Sequence, residues 1–384
     1  MNFYYLKVVC SVSFIFEWHL LLAIKMKFST TQQYEVFSNI RGFVRRPFIT
    51  FFITSAIVLI LLIFLWLSNG IDGSRFFNST PKKKLNLLFI SLDTVRKDHL
   101  SIYGYDRDTT PVLNRLSNNA IIFENAFAQD TNTNPSHSSM FTGVYPHIHG
   151  AQWNGSPFGS DQVTLTEILK EAGFHTGGFV SGYTLQRKVT GLHQGFDVYD
   201  DNFPARRDGC KSTQLAIDWL QGINSDDRFF LFLHFFDAHG PYMPKGKYAI
   251  MFNSNRPARM LKYISVDQAL YNPDGQLEMN LNKYIDRYDG NIRYIDDCLT
   301  RLLKEVNLRD TIVIAIADHG ETLGERYWEL GHGGQVFDEQ IRIPLIISVP
   351  DIKPQQVTAR VETTDLLPTL LELLDVDLPP DRSS

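Results

Sequence analysis

Leu85-Asn86-Leu87-Leu88-Phe89-Ile90-Ser91-Leu92-Asp93 is an apolar run of strand length that stops on a carboxylate. A run this short and this apolar reads as a strand buried on both faces, the condition of a parallel sheet covered by helices on two sides. The chain keeps that rhythm outward from it. A helix predicted over 111–119 precedes a strand over 120–123, a helix over 165–172 precedes a strand over 175–180, and a helix over 213–220 precedes the apolar strand 229–236. From Lys283 to Val306, Tyr284, Tyr288, Ile292, Ile295, Leu299, Leu302 and Val306 recur at helical intervals and predict one long amphipathic helix. Strands are predicted over 311–317 and 344–349, and a last helix over 364–374. The alternation implies an α/β domain with a mostly parallel central sheet.

In such sheets ligands bind beyond the carboxyl ends of the strands, and the polar residues of interest fall there. Asp93 follows the first strand, His239 lies just past the strand ending at Phe236, and Asp318-His319 closes the strand that begins at Thr311. Two carboxylates and an imidazole form a mixed oxygen and nitrogen donor set that suits zinc or manganese, whereas calcium prefers more oxygens. Asp93 alone fits an ordinary turn role equally well. In Thr131-Asn-Thr-Asn-Pro-Ser-His-Ser-Ser-Met-Phe-Thr-Gly143, Pro135 suits the first turn of a helix. Hydroxyl, amide and imidazole groups crowd that helix start, where free N–H groups favour an anion. By itself the segment is also a capped surface helix. His332 sits in the glycine-rich loop 331–334, where backbone can approach a ligand closely. His234, inside an apolar strand, fits a histidine satisfied in the core. A hydroxyl whose alkoxide is stabilised by a cation is a usable nucleophile toward a phosphoryl or sulfuryl centre.

The 384 residues are 44% hydrophobic with a net charge of −5, a globular composition that offers nothing to nucleic acid. Cys10, Cys210 and Cys298 stand at no metal or redox spacing. Only Cys210 and Cys298 are candidates to pair, and buried free thiols are the expected state. Residues 48–67 form an uncharged run long enough to cross a bilayer as a helix. Arg41, Arg45 and Arg46 directly precede it, so the positive-inside rule leaves 1–47 cytoplasmic and places everything after Leu67 outside. The polar stretch 68–84 reads as a tether.

Several segments occur in order: Leu-Leu-Phe-Ile-Ser-Leu-Asp-Thr-Val-Arg-Lys-Asp-His-Leu (87–100), Pro-Ser-His-Ser-Ser-Met-Phe-Thr-Gly (135–143), Phe-Leu-His-Phe-Phe-Asp-Ala-His-Gly-Pro-Tyr (232–242) and Ala-Asp-His-Gly-Glu-Thr-Leu-Gly-Glu (317–325). Together they resemble the sulfatase family of the alkaline phosphatase superfamily, over 85–380. The resemblance implies a three-layer α/β sandwich and one divalent metal ion (manganese, zinc or calcium) held by Asp93, Asp318 and His319 with the nucleophile Thr133. It further implies that His239 and His332 contact an anionic sulfate or phosphate ester, His332 standing where sulfatases usually carry a lysine. Asp98 and His149 match family positions without an assigned role.

The departures are chemical. Sulfatases make formylglycine from the first residue of Cys/Ser-x-Pro-x-Arg, and this chain reads Thr133-Asn134-Pro135-Ser136-His137. The expectation is therefore a threonine nucleophile, with His137 in the arginine's place. Thr94 replaces a second aspartate. A threonine nucleophile resembles the superfamily's phosphodiesterases and its membrane-anchored phosphoethanolamine and phosphoglycerol transferases. A formylglycine hydrate expels sulfate through its second hydroxyl, whereas a threonine ester has to be attacked again, which favours phosphoryl transfer. The family's smaller C-terminal subdomain is not found before Ser384, and the segment 245–282 is a candidate lid. With the altered motif, this leaves a second reading, a non-catalytic membrane-tethered binding protein on the same scaffold.

Overall fold

The computed structural model describes residues 84–265, 268–326 and 329–379. The expected cytoplasmic segment, transmembrane helix and nearly all of the tether lie outside these residues. Among those described, no helix is long and apolar enough to cross a membrane.

The elements in chain order are β1 (Asn86–Leu92), α1 (Pro111–Leu116), β2 (Ala120–Phe127), α2 (Thr133–Thr142), α3 (Pro146–His149), α4 (Leu165–Glu171), β3 (Phe174–Phe179) and β4 (Val198–Asp200). They continue with α5 (Gly209–Leu220), β5 (Arg228–Phe235), α6 (Leu281–Glu305), β6 (Thr311–Ala317), the short pair β7 (Thr322–Leu323) and β8 (Leu330–Gly331), α7 (Asp338–Ile341), β9 (Arg342–Ser348), β10 (Gln355–Glu362) and α8 (Leu366–Leu374). Eight strands make one sheet in the order β10-β2-β9-β6-β1-β5-β3-β4. Only β9 runs against the rest, pairing antiparallel with both β2 and β6. The mostly parallel sheet is therefore as expected.

Alternation along β1 sorts the two covering layers. Phe89 meets Phe141 of α2, and Ser91 bonds to His137 of the same helix. Leu92, one residue on, lines a small void with Leu113 of α1 and Ile292, Ile295 and Leu299 of α6. One face of β1 thus lies under α2 and the other under α1 and α6, giving the three layers. The apolar stripe of α6 explains its length: Tyr284, Tyr288, Ile292, Ile295, Leu299 and Leu302 are all buried.

Some expectations are corrected. Cys210 and Cys298 are not free thiols but a disulfide joining α5 to α6, with Cα atoms 5.2 Å apart. Sequence spacing carries no sign of it, because helix packing alone brings together two residues 88 apart. The strand from Ala120 extends to Phe127. β10, exposed along most of its length, lacks the apolar pattern by which strands were recognised.

Candidate active site

The three central strands β6, β1 and β5 are adjacent and parallel, so their carboxyl ends deliver Asp318, Asp93 and the segment leading to His239 to one rim. Thr94, immediately after Asp93, has φ +59°, a left-handed conformation that a β-branched residue adopts only when its surroundings impose it. Here its N–H donates to Asp318 Oδ1 at 3.1 Å, locking the ends of β1 and β6 together. Its own Oγ1 turns back to donate to the Asp93 carbonyl at 2.7 Å, so it does not replace the missing aspartate as a donor.

Helix α2 brings the hydroxyl. All ten of its residues are buried although six carry hydroxyl or imidazole groups, an arrangement that is stable only if those groups are paired. Ser136 Oγ donates to the Asp318 carbonyl at 2.7 Å, Ser138 and Thr142 donate back into the helix, and Ser139 pairs with His149 Nε2 at 3.1 Å. His149 therefore acts as a brace for α2. Thr133 opens the helix, and its Oγ1 donates to Asp93 Oδ2 at 3.3 Å. Near its other end, Phe141 anchors the helix on the sheet against Phe89, Phe230 and Phe232.

Asp93, Asp318 and His319 offer ligand atoms all within 4.8 Å of one another. Asp93 Oδ1, Asp318 Oδ2 and His319 Nε2 are buried and have no hydrogen-bond partner. Buried acceptors are rarely left orphaned, and three converging on one point fit a divalent cation. His319 Nδ1–H donates to the Gly320 carbonyl at 2.9 Å, which turns the Nε2 lone pair toward that point. Burial pushes Asp93 up to about 7 and Asp318 well above the usual carboxylate range, the latter helped by Asp93 itself. Both shifts mark carboxyls whose negative charge is costly in a dry site without a cation. Burial likewise holds His319 neutral, as a ligand nitrogen has to be.

His332, from the loop after β8, packs its ring 4.4 Å from His319 and 5.0 Å from His239. Burial works against its charge, but the Glu321 carboxylate 3.1 Å from Nδ1, with Asp93 and Asp318 behind it, prevails and pushes it up to about 9. These carboxylates favour the cationic form of the histidine in the lysine's place. His239 stacks on Phe236 at 4.3 Å, and its Nδ1–H donates to the Gly240 carbonyl at 2.8 Å, leaving Nε2 for a ligand. The loop carrying His332 passes close to the helix start: a Cβ at Gly333, φ +86°, would lie 3.1 Å from Asn132 Oδ1.

The reading of His137 changes, while His234, buried and hydrogen-bonded as expected, gains a further role. His137, expected as a catalytic residue in the arginine's place, has both nitrogens engaged, Nδ1 with the Thr133 carbonyl and Nε2 with Ser91 Oγ, each at 2.7 Å. Burial pushes it down to about 3, so it is a neutral strut under the first turn of α2 and not an anion contact. His234, expected as a core residue, lies beside Ser91 in the β1–β5 register with Nε2 3.3 Å from Asp93 Oδ2. The signal that would have found it is strand alternation, which sends His234 and Ser91 to the same face. Glu321 was visible in the Asp-His-Gly-Glu stretch but not as the partner of His332. Asp98 is held by Arg96 through two hydrogen bonds of 2.9 and 2.7 Å.

The sulfatase family model matches residues 85–376. The chain belongs to the sulfatase family. An ulvan-active sulfatase of Formosa agariphila is 26% identical over 77% of this chain and 63% of its own length. A Kdo(2)-lipid A phosphoethanolamine 7''-transferase of Escherichia coli is 26% identical over 69% of this chain and 44% of its own length. Among solved structures, a protein in complex with its substrate D-glucosamine-2-N,6-O-disulfate shares the fold, with TM-score 0.66, 23% identity and 78% of each chain covered. This sulfatase-family chain therefore spans part of the length of its curated relatives, and those relatives include both sulfatases and a phosphoethanolamine transferase.

Proposed function

We propose that this chain is a membrane-anchored, metal-dependent enzyme that cleaves or transfers sulfate or phosphate esters, with Thr133 as nucleophile and a covalent Thr133 ester as intermediate. The observation that carries the reading is the Thr133 hydroxyl at the start of α2, hydrogen-bonded to Asp93 beside three orphaned ligand atoms. Asp93, Asp318, His319 and the Thr133 oxygen would hold the divalent ion, which when bound supplies positive charge that lowers the cost of an alkoxide and of an anionic transition state. The Thr133 hydroxyl gives up its proton and its oxygen attacks the phosphorus or sulfur. The His332 imidazolium donates to a non-bridging oxygen of the ester, and the pathway needs no mobile lysine for that purpose. His239, neutral with its Nδ1–H given to Gly240, would take up at its free Nε2 the proton that Thr133 releases and pass it to the leaving-group oxygen.

Threonine has one hydroxyl, so the ester on Thr133 leaves only by a second attack at the same atom. Water gives hydrolysis and another hydroxyl gives transfer. The similarity to a phosphoethanolamine transferase supports the transfer reading for phosphate, and that to an ulvan-active sulfatase supports sulfate. The apolar run 48–67 with its preceding arginines supports an anchor with the catalytic domain outside the cytoplasm. The Cys210–Cys298 disulfide supports the same side, since disulfides persist in oxidising compartments.

The test is mass spectrometry of the peptide containing Thr133 after brief exposure of the metal-loaded protein to aryl sulfate, phosphate monoester or phosphate diester. A mass increment on Thr133 is expected, and its size names the reaction. Thr133→Ala retaining full turnover would refute the assignment of the nucleophile.

A further inference from the structure

Beside the site lies a cavity of about 780 Å³, walled by residues 202–208, the segment after β5, and α6. It is rich in cations. Lys245 is paired with Asp208, and Arg207 with Asp200. Arg206, Lys211 and Arg287 also line it and make no direct ion pair with a carboxylate among the described residues, although the charges of Asp237 and Asp93 reach Arg206. The two carboxylates on the wall are already committed: Asp208 takes Lys245 and the Tyr294 hydroxyl, and Asp237 accepts the Gly209 N–H at 3.0 Å. What faces the space is net positive charge.

Arg206 links this cavity to the reacting centre. Its Nη2 donates to the Gly240 carbonyl at 2.7 Å, the same oxygen that receives His239 Nδ1–H. Its guanidinium lies over the ring of Phe236 at 5.1 Å, the ring on which His239 stacks. One of five guanidinium N–H donors is therefore used, the stem is held, and the remaining donors form a preorganised fork for an anion. A cavity of this volume has room for a sugar-sized group.

We propose that this cavity is a second-anion subsite: the substrate carries, besides its scissile ester, a further sulfate, phosphate or carboxylate on the leaving-group side, which docks on Arg206, Arg287 and Lys211. The inference rests on the ester-cleaving reading above and adds to it the charge pattern of the substrate. A dianionic substrate places its scissile group at His332 and its second anion at Arg206, with His239 between them at the leaving-group oxygen.

The test uses the full-length protein carrying Thr133→Ala, so that probes bind without turnover. Calorimetry compares N-acetylglucosamine 6-O-sulfate with glucosamine-2-N,6-O-disulfate, and a sugar monophosphate with the matching bisphosphate. The doubly charged member of at least one pair should bind about tenfold or more tightly, and the pair that shows it identifies the anion as sulfate or phosphate. Arg206→Gln with Arg287→Gln should bring that ratio to within about twofold, whereas Lys247→Gln, an exposed cation outside the cavity, should preserve it. Ratios near one in both pairs, a ratio that survives the double substitution, or an equal loss in the Lys247→Gln control each overturn the subsite. Binding of the singly charged probe with no gain from the second anion overturns the subsite and leaves the ester site standing. Failure to bind any probe overturns both.

Discussion

Asn in place of Asp93 should make the metal-free protein more stable, by an amount that grows with pH. Burial is the largest influence on Asp93; it outweighs the help that the carboxylate receives from His332 and the Thr133 hydrogen bond, and pushes the group from 3.8 to about 7. The folded state therefore holds a proton on Asp93 between those values while the unfolded chain has lost it. Where the folded state binds more protons, stability falls as pH rises. The contribution is intact below pH 4, declines through the window from 4 to 7, and is fully lost above it. Roughly three pK units at 1.36 kcal/mol each give about 4 kcal/mol. Buried histidines such as His137, His234 and His239, all pushed down to about 3, change stability in the opposite sense below pH 6.5. The difference between wild type and Asp93→Asn removes them, since both proteins share them. Chemical denaturation after chelation, at intervals from pH 4 to 8, should show no difference at the acid end and an advantage of about 4 kcal/mol for the variant at the alkaline end. Adding manganese or zinc at pH 8 should reverse the order, because the ion compensates the wild-type carboxylate and finds one ligand fewer in the variant. A difference that stays flat across the pH range, or a variant that gains as much from the metal as wild type, would refute the account of Asp93 as a charge held for a cation.

His234→Ala should weaken metal binding about 10- to 100-fold by releasing Asp93 Oδ2, measured by competition with a chromogenic chelator. The His332 imidazolium, pushed up to about 9, should make kcat/KM fall as pH rises through that value, and Glu321→Gln should move the fall toward neutrality. Reduction of Cys210–Cys298, which closes 88 residues, should cost about 4–5 kcal/mol on loop-closure grounds, read as a lower denaturation midpoint in dithiothreitol. Asp289→Ala strips a partner from His99, Tyr105 and Arg107 at once, leaving Arg107 its second carboxylate, Asp286, and the lost charge-assisted hydrogen bonds should cost about 1.5–3 kcal/mol in equilibrium unfolding.

The parts of this molecule legible in its sequence are those that bury apolar surface periodically. β1, β5, β6 and α6 announce themselves by runs and spacings that their burial demands. The ligand candidates were legible because parallel sheets place chemistry at strand ends, and Asp93 and Asp318 sit there. What stayed hidden depends on three-dimensional neighbours. His137 and His234 look alike as buried histidines, and only the packing of α2 on β1 and β5 makes one a strut and the other a support for Asp93. Arg206 is an unremarked cation in a loop until Gly240 and Phe236 are found beneath it.

The central strand of the sheet also sets a timetable. Leu87 pairs across with Phe230 on one side and with Ile312 on the other, so β1 is synthesised long before either neighbour exists. Contacts this distant along the chain slow folding, and they leave apolar strand edges open while the rest of the polypeptide emerges. Asp93 and Asp318, brought together only when β6 docks, cannot form a high-affinity ion site in a nascent chain. Capture of the cation is therefore a late event that reports a finished sheet, and partially synthesised or mis-docked chains would be distinguished by their failure to retain it.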